Sequence, residues 1–406
     1  MSTTESPTIL CLASEYKGIP FIEEAKRLGS GIILLVQEKY ASEPWPHDSV
    51  DTFFTMPDLY TQPNITYAVS YLARSHKIER IVALDDFDVA TAASLREHIR
   101  LAGMNESTAR HFRDKLAMRT KASQAGLTVP DFVGIFNYDA LRDFMGRVSP
   151  PWVLKPRFSA GAIGIQKIYD SEALWRTLDR LGDTQSNYVL EQFLPGDVYH
   201  VDSIIWKGEV QFAIASKYGA PPLTITQGGG TFITRTLKRS SQESEELLGF
   251  NQQIMTALGH YNGVAHTEFI RAYEDGRFYF LETAARVAGA HVDKMVKAAS
   301  GIELWAEAAR IEMASMKGED YEIPAYREDN AGLIICLARQ EYPDLSPYQD
   351  AEIIWRLNKP YHSGLLVSSA DAGRIEELLN AYNERFATDF LHHLPGKEKE
   401  GARNTI

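Results

Sequence analysis

Apolar positions along the chain follow two rhythms. Short unbroken runs, "TILCLAS" (8–14), "GIILLVQ" (31–37) and "RIVALDD" (80–86), are too brief for helices and read as strands buried on both faces. Between them "FIEEAKRLG" (21–29) and "NITYAVSYLARSHK" (64–77) carry helical spacing, the first closed by Gly29. Strands alternating with helices predict a parallel, doubly wound sheet. No G-x-G-x-x-G follows the first strand, so the dinucleotide fingerprint is absent. From Ser107 to Gly126 a helical pattern, "STARHFRDKLAMRTKASQAG", runs unbroken, with Pro130 beyond its glycine stop. The pattern then turns strand-rich: "WVLKP", "GIQKIY", a helix at "SEALWRTLDRLG", then "NYVLEQF" and "YHVDSIIWKGEVQFAIAS". Mixed elements return in "AGLIICLAR" and "AGRIEELLNAYNERFA", and the tail "GKEKEGARNTI" has nothing to bury.

One hairpin stands out. In "HTEFIRAYEDGRFYFLETAAR" (266–286) Glu274, Asp275 and Gly276 suit a three-residue loop, with glycine in the left-handed position. Tyr273 would then pair with Arg277, and the same register sets Glu268 opposite Glu282 on one face, with His266, Phe278, Phe280, Ala284 and Arg286. Like charges facing each other across a sheet repel unless something neutralises them. A hard divalent cation such as magnesium would do so. Two solvated carboxylates on an exposed face fit the same pattern.

Composition narrows the field. The 406 residues exceed what one core usually organises, so two or three subdomains are expected. With 44% apolar and 24% charged residues the chain is of the soluble globular kind. Its 42 basic and 54 acidic residues give −12, which argues against a general nucleic-acid binder but allows a local phosphate pocket. Cys11 and Cys336 have no zinc-like spacing, and no apolar run reaches the ~20 residues a membrane helix needs. A cytoplasmic protein without membrane or nucleic-acid partners is expected.

Two further stretches supply phosphate chemistry. In "WVLKPRFSAGAIGIQKI" Lys155 ends an apolar run, and Ser159, Ala160, Gly161 and Gly164 lie in a loop of small residues that lets backbone N–H groups approach an anion. A glycine-rich hairpin with an ordinary lysine is the plainer alternative. In "NYVLEQFLPGD" the strand reaches Glu191, and Gln192, Phe193 and Leu194 then offer backbone groups to a flat heterocycle, or simply run into a turn.

Taken in order, the helix "RDKLAMRTKASQAGLTVPDF", the loop "VLKPRFSAGAIGI", the hinge "VLEQFLPGDVYHVDSI" and the hairpin "HTEF … FLETAAR" resemble the ATP-grasp superfamily of carboxylate–amine ligases, through about residue 310. The resemblance implies an α/β and α+β multidomain ATP-grasp fold with an N-terminal Rossmann-like parallel-sheet domain (1–106). A small ATP-grasp subdomain (107–190), a large one with the metal site and a C-terminal α/β part (191–395), and a loose tail (396–406) would follow. It also implies ATP phosphates on Lys115 and Lys155 and the 159–164 loop, adenine at Glu191 to Leu194, and magnesium (or manganese) on Glu268 and Glu282. Arg286 would face the phosphoryl group or a substrate carboxylate, and His266 would orient Glu268 or the amine. "HTE" with "ETAARVAG" is similar to the L-amino acid ligases that make dipeptides. Most relatives carry asparagine where Ala284 stands, and alanine there fits the dipeptide-ligase variant. An acid that commonly binds ribose is replaced by Val198, leaving Asp197 or Asp202 for that contact.

The implied reaction joins two amino acids through an acyl phosphate at the expense of ATP, which needs no enzyme nucleophile. Gly228 to Gly230 are expected in a lid, and the small residues Val287 to Ala290 beside a substrate side chain. ATP-grasp chemistry on bicarbonate or a non-amino-acid carboxylate, and a non-catalytic nucleotide-binding module, are the alternatives. Homodimer or monomer stays open.

Overall fold

A computed structural model describes residues 7–392. The tail anticipated beyond residue 395 lies outside them. The N-terminal part contains β1 (Thr8–Ala13), α1 (Ile19–Arg27), β2 (Gly31–Gln37), β3 (Thr52–Met56), α2 (Asn64–Leu72), β4 (Ile78–Ala83) and α3 (Asp88–His98). Its strands form a parallel sheet in the order β3-β2-β1-β4. Ile9, Cys11 and Ala13 of β1 enter one apolar core while Leu10 and Leu12 enter another, and β2 divides its residues likewise. Period-two alternation with both faces buried is why Ile9 to Ala13 and Ile32 to Val36 contain no polar residue.

Next come α4 (Glu106–Arg110), α5 (Lys115–Gln124), β5 (Phe132–Gly134), α6 (Tyr138–Arg147), β6 (Trp152–Pro156), β7 (Gln166–Ile168), α7 (Ser171–Leu181) and β8 (Tyr188–Gln192). The four strands pair antiparallel in the order β5-β8-β6-β7. The single helix expected over 107–126 is two. Asp114 breaks it by accepting from Leu116 N and Ala117 N as the cap of α5, where its non-helical backbone ends α4's direction.

The largest sheet has the order β13-β12-β9-β10-β11-β14-β16-β15. It uses β9 (Gly196–Trp206), β10 (Glu209–Tyr218), β11 (Phe232–Thr236), β12 (Gly263–Ala272), β13 (Phe278–Ala284), β14 (Asn330–Leu337), β15 (Ile353–Arg356) and β16 (His362–Ser369). Between them lie α8 (Pro222–Gly228), α9 (Gln242–Leu258), α10 (Val292–Ser300) and α11 (Leu304–Lys317), and α12 (Ala372–Asp389) closes the described chain.

The N-terminal sheet does not have a core to itself. Ile9, Leu34 and Phe21 share one continuous apolar cluster with Trp206 and Val264 of the large sheet and with Trp305 and Ile311 of α11. An ionic contact crosses the same boundary, with Glu24 of α1 accepting from Arg27 Nε and Arg310 Nε, each at 2.7 Å. The Arg27 bond first, with Arg310 beside it, holds the Glu24 carboxyl down at about 2, against the ordinary 4.5. A folded value below the unfolded one means that this stabilisation is whole above about pH 4.5 and is lost as pH falls through about 2. Denaturant unfolding of the wild type and Glu24→Gln should therefore show the wild type's advantage shrinking by about 1–2 kcal/mol between about pH 6 and about pH 3. An advantage independent of pH would contradict this coupling.

Candidate active site

A cavity of about 580 Å³ opens between the small antiparallel sheet and the large one. That volume falls in the range of small-molecule sites. Glu268 of β12 and Glu282 of β13 both line it and are direct Cα partners across the hairpin. The register arises by a different route from the one the sequence suggests. The loop is one residue longer, because Ala272 N bonds Arg277 O and Gly276 N bonds Ala272 O, with Gly276 at φ 69. A β-bulge between Glu268 and Phe269 then shifts the pairing, so that Phe269 meets Phe280 while Glu268 still meets Glu282. The bulge also corrects the face assignment: Phe278 and Phe280 belong to the core on the far side, while Leu281 and Glu282 both line the cavity.

Lys115, at the start of α5, is buried and joins two of these segments. Its Nζ lies 2.9 Å from Glu282 Oε2 and donates to Ser159 O at 2.6 Å. Burial alone would raise the Glu282 carboxyl, but Lys115, with Lys155 and Arg119 beyond it, brings it down to about 2. The neighbours of Lys115 also hold the phosphate-type loop. Arg113 donates to Phe158 O at 2.7 Å and to Asp86, and Asp114 accepts from Arg157. Three consecutive residues thus fix the loop's base, and Ser159, Ala160 and Gly161 line the cavity above it. Gly164 does not line it. At φ +75 it sits against Pro156, where a side chain would come within 2.8 Å of Cγ.

On the hinge strand Glu191 is 1% exposed and accepts from Lys155 Nζ at 2.7 Å and Arg119 Nη2 at 3.2 Å. Burial opposes its ionisation, and Arg119 and Lys155 overcome that and lower its pKa. Gln192, Phe193 and Leu194 follow it along the cavity wall. Neither acid suggested for a ribose contact faces the cavity. Strand alternation turns Asp197 away from it, onto Lys217 Nζ at 2.7 Å and Tyr273 Oη at 2.9 Å. Asp202 is fully buried, accepting from His200 Nδ1 at 2.8 Å and His266 Nδ1 at 2.9 Å. His266 lines the cavity with Nε2 3.8 Å from Glu268 Oε1; burial would lower its pKa, but Asp202 raises it to about 9.

Tyr218 was not singled out in the sequence. Its hydroxyl donates to Glu268 Oε1 at 2.8 Å, and the His200 ring lies 4.8 Å from its own. Even-numbered residues of β9 were the available signal, since Val198, His200 and Asp202 share one face. Arg286 lines the cavity without bonding either glutamate; its Nη1 donates to Val287 O at 3.0 Å. Gly228 to Gly230, expected in a lid, do not line the cavity; Pro221 to Thr224, just before them in the chain, do. Ala290 does, at φ 52.

This donor set suits a nucleotide and a hard cation. Two oxygen ligands face each other without thiols, and lysines stand on the adjoining elements. A buried histidine–aspartate–histidine group (His200, Asp202, His266) lies beside them, with its three ligand atoms within 4.8 Å of one another. Its donors are already committed to one another and to Thr234 Oγ1.

No family model matches the chain. Over 300 residues it is 24% identical to the L-arginine-specific L-amino acid ligase of Bacillus subtilis, covering 72% of each protein. Over 250 residues it is 23% identical to the alanine–anticapsin ligase of Bacillus subtilis strain 168, covering 56% of this chain and 52% of that one, so it spans about half of this relative. The crystal structure of an L-amino acid ligase from Bacillus licheniformis superposes with a TM-score of 0.73 at 21% identity, covering 96% of this chain and 99% of that one. The fold is the ATP-grasp fold. Solved proteins that share it include complexes with ADP and with MgADP.

Glu191 should matter to stability whether or not ligand is present. Glu191→Gln leaves Arg119 and Lys155 buried without a counter-charge, and urea unfolding should show a loss of about 3 kcal/mol. A loss below about 1 kcal/mol would mean that this three-way contact is not formed in solution.

Proposed function

We propose that this chain, an ATP-grasp carboxylate–amine ligase by fold and relatives, activates an amino-acid carboxylate with ATP and joins it to the amine of a second amino acid. The observation that carries this reading is the facing pair Glu268 and Glu282, with Lys115 2.9 Å from the second, in the same cavity as the small-residue loop and the hinge. Four separate chain segments supply those groups.

A carboxylate is a poor electrophile because its leaving group would be an oxide. Transfer of the γ-phosphoryl group forms a carboxyl O–P bond and breaks the bridging P–O bond to ADP. Attack by the amine then forms C–N and breaks C–O, releasing phosphate, and the ammonium gives up two protons in all. Little covalent work falls to the protein, which positions the reactants and offsets charge. Lys115 and Lys155 take the phosphates, exchanging their present carboxylate partners for phosphate oxygens. Glu268 and Glu282 would hold magnesium, which when bound would supply Lewis-acid neutralisation of the phosphates. Tyr218 fixes the Glu268 carboxylate by donating to its Oε1. Arg286 stands beside the reacting groups as a fixed cation, and the hinge from Glu191 to Leu194 receives adenine.

His266, held by Asp202 and raised to about 9, is cationic at neutral pH, so in this reading it orients groups and does not accept the amine's proton. A pairwise amino-acid screen for phosphate release, with products identified by mass spectrometry, tests the proposal. At least one pair should yield a dipeptide in step with phosphate, and Glu282→Gln should lower turnover by about 100-fold or more. Phosphate release that depends on bicarbonate or another acid, and ignores amino-acid pairs, would overturn it.

A further inference from the structure

The strand order β13-β12-β9-β10-β11 leaves β13 alone on one side of Glu268 and three strands on the other. Lys115 reaches Glu282 on the β13 side, and Lys155 stands on β6 of the small sheet, against Glu191. The floor over β10 and β11 has another character. Tyr218 pairs with Thr234, and Phe232, two residues before Thr234, shares its face. Both rings line the cavity, with centroids 5.7 Å apart. The segment α8, which links β10 to β11, adds Pro222, Leu223 and Thr224 to the lining, and the turn into α10 adds Ala290 and Val292. Among the described residues, none that lines the cavity from β10, β11, α8 or α10 is charged, and the Tyr218 hydroxyl is already spent on Glu268. The lining carboxylates lie on other elements and are engaged there: Glu191 by Lys155 and Arg119, Asp86 by Arg113, Glu282 by Lys115 and Glu268 by Tyr218.

In phosphoryl transfer the entering and leaving oxygens lie roughly in line on opposite sides of the phosphorus. With the phosphates on Lys115 and Lys155, the carboxylate that receives the phosphoryl group approaches from the other side of Glu268, over β9 to β11. Resting on the ligase reading, we propose that the activated amino acid carries an uncharged, apolar side chain, seated against Tyr218, Phe232 and Leu223. A guanidinium or ammonium there would leave water with no free carboxylate to meet it, and with Arg286 on the same cavity. A side-chain carboxylate would be desolvated against two aromatic rings and a leucine. An aliphatic or thioether chain gives up no hydrogen bond on entry and gains contact with both rings.

Calorimetric titration of the full chain, preloaded with ADP and magnesium, with L-methionine, L-arginine and L-glutamate tests this. Methionine should bind roughly ten-fold tighter than either charged amino acid. Leu223→Glu should narrow the gap between methionine and arginine by roughly ten-fold. Phe232→Ala adds no charge and should weaken methionine by roughly five-fold. Titration with ADP alone checks that each variant is folded. Equal binding of the three amino acids, no binding of any, exclusion of methionine once ADP is loaded, or an unaltered profile in both variants would overturn the assignment. Hydroxylamine in place of the amine substrate, with ATP and one amino acid at a time, reads activation alone: its nitrogen forms the C–N bond as the C–O bond to phosphate breaks, and a hydroxamate results. Selective methionine binding without hydroxamate from any amino acid refutes the ligase reading alone. Hydroxamate formed from arginine as readily as from methionine refutes the side-chain assignment alone.

Discussion

Two carboxylates held face to face on neighbouring strands are the constraint around which this molecule is arranged. A sheet does not tolerate facing like charges without compensation. Here the compensation is Lys115, which reaches Glu282 from the first turn of α5, and Tyr218, which binds Glu268. Each partner comes from a different element, so the pair draws together α5, β10 and the β12–β13 hairpin. The bulge after Glu268 is part of the same device: without it the longer loop would put Glu282 out of register.

A second set of ionic contacts ties the phosphate-type loop to the N-terminal sheet. Asp86, just past β4, binds Arg113, and Arg113 and Lys115 both donate to carbonyls of the loop, at Phe158 and Ser159. Glu191, between Lys155 and Arg119, fixes the hinge strand against the strand that carries the loop. Buried pairs of this kind contribute little net stability, because desolvation consumes most of their attraction, but breaking one is costly. Their value here lies in geometry. They hold cationic groups at set positions in a cavity that would otherwise repel them, which is what a site for polyphosphate requires.

Much of this is legible in the amino-acid order. Unbroken apolar runs identify β1 and β2, because a parallel sheet covered on both faces disfavours polar residues, and β4 at the sheet's edge shows only the shorter run Ile81 to Ala83. The Glu268–Glu282 pairing is legible because side-chain period in a strand is fixed at two, although the loop is one residue longer than it reads and a bulge with no sequence signal offsets the difference. Less visible was the break before α5, where Asp114 serves as cap and also as partner of Arg157, forty-three residues on. Tyr218 and the Asp202 pair of histidines were hidden for a similar reason, since their partners lie across strands that pair only in three dimensions.

The most direct test is a crystal structure of the complex with manganese and a non-hydrolysable ATP analogue, reading the ion from its anomalous signal. The account predicts one or more ions between the Glu268 and Glu282 carboxylates, with the phosphates drawn to Lys115 and Lys155 and the Lys115–Glu282 contact opened. An ion held instead by His200, Asp202 and His266, or phosphates bound away from Lys115 with that contact intact, would contradict it.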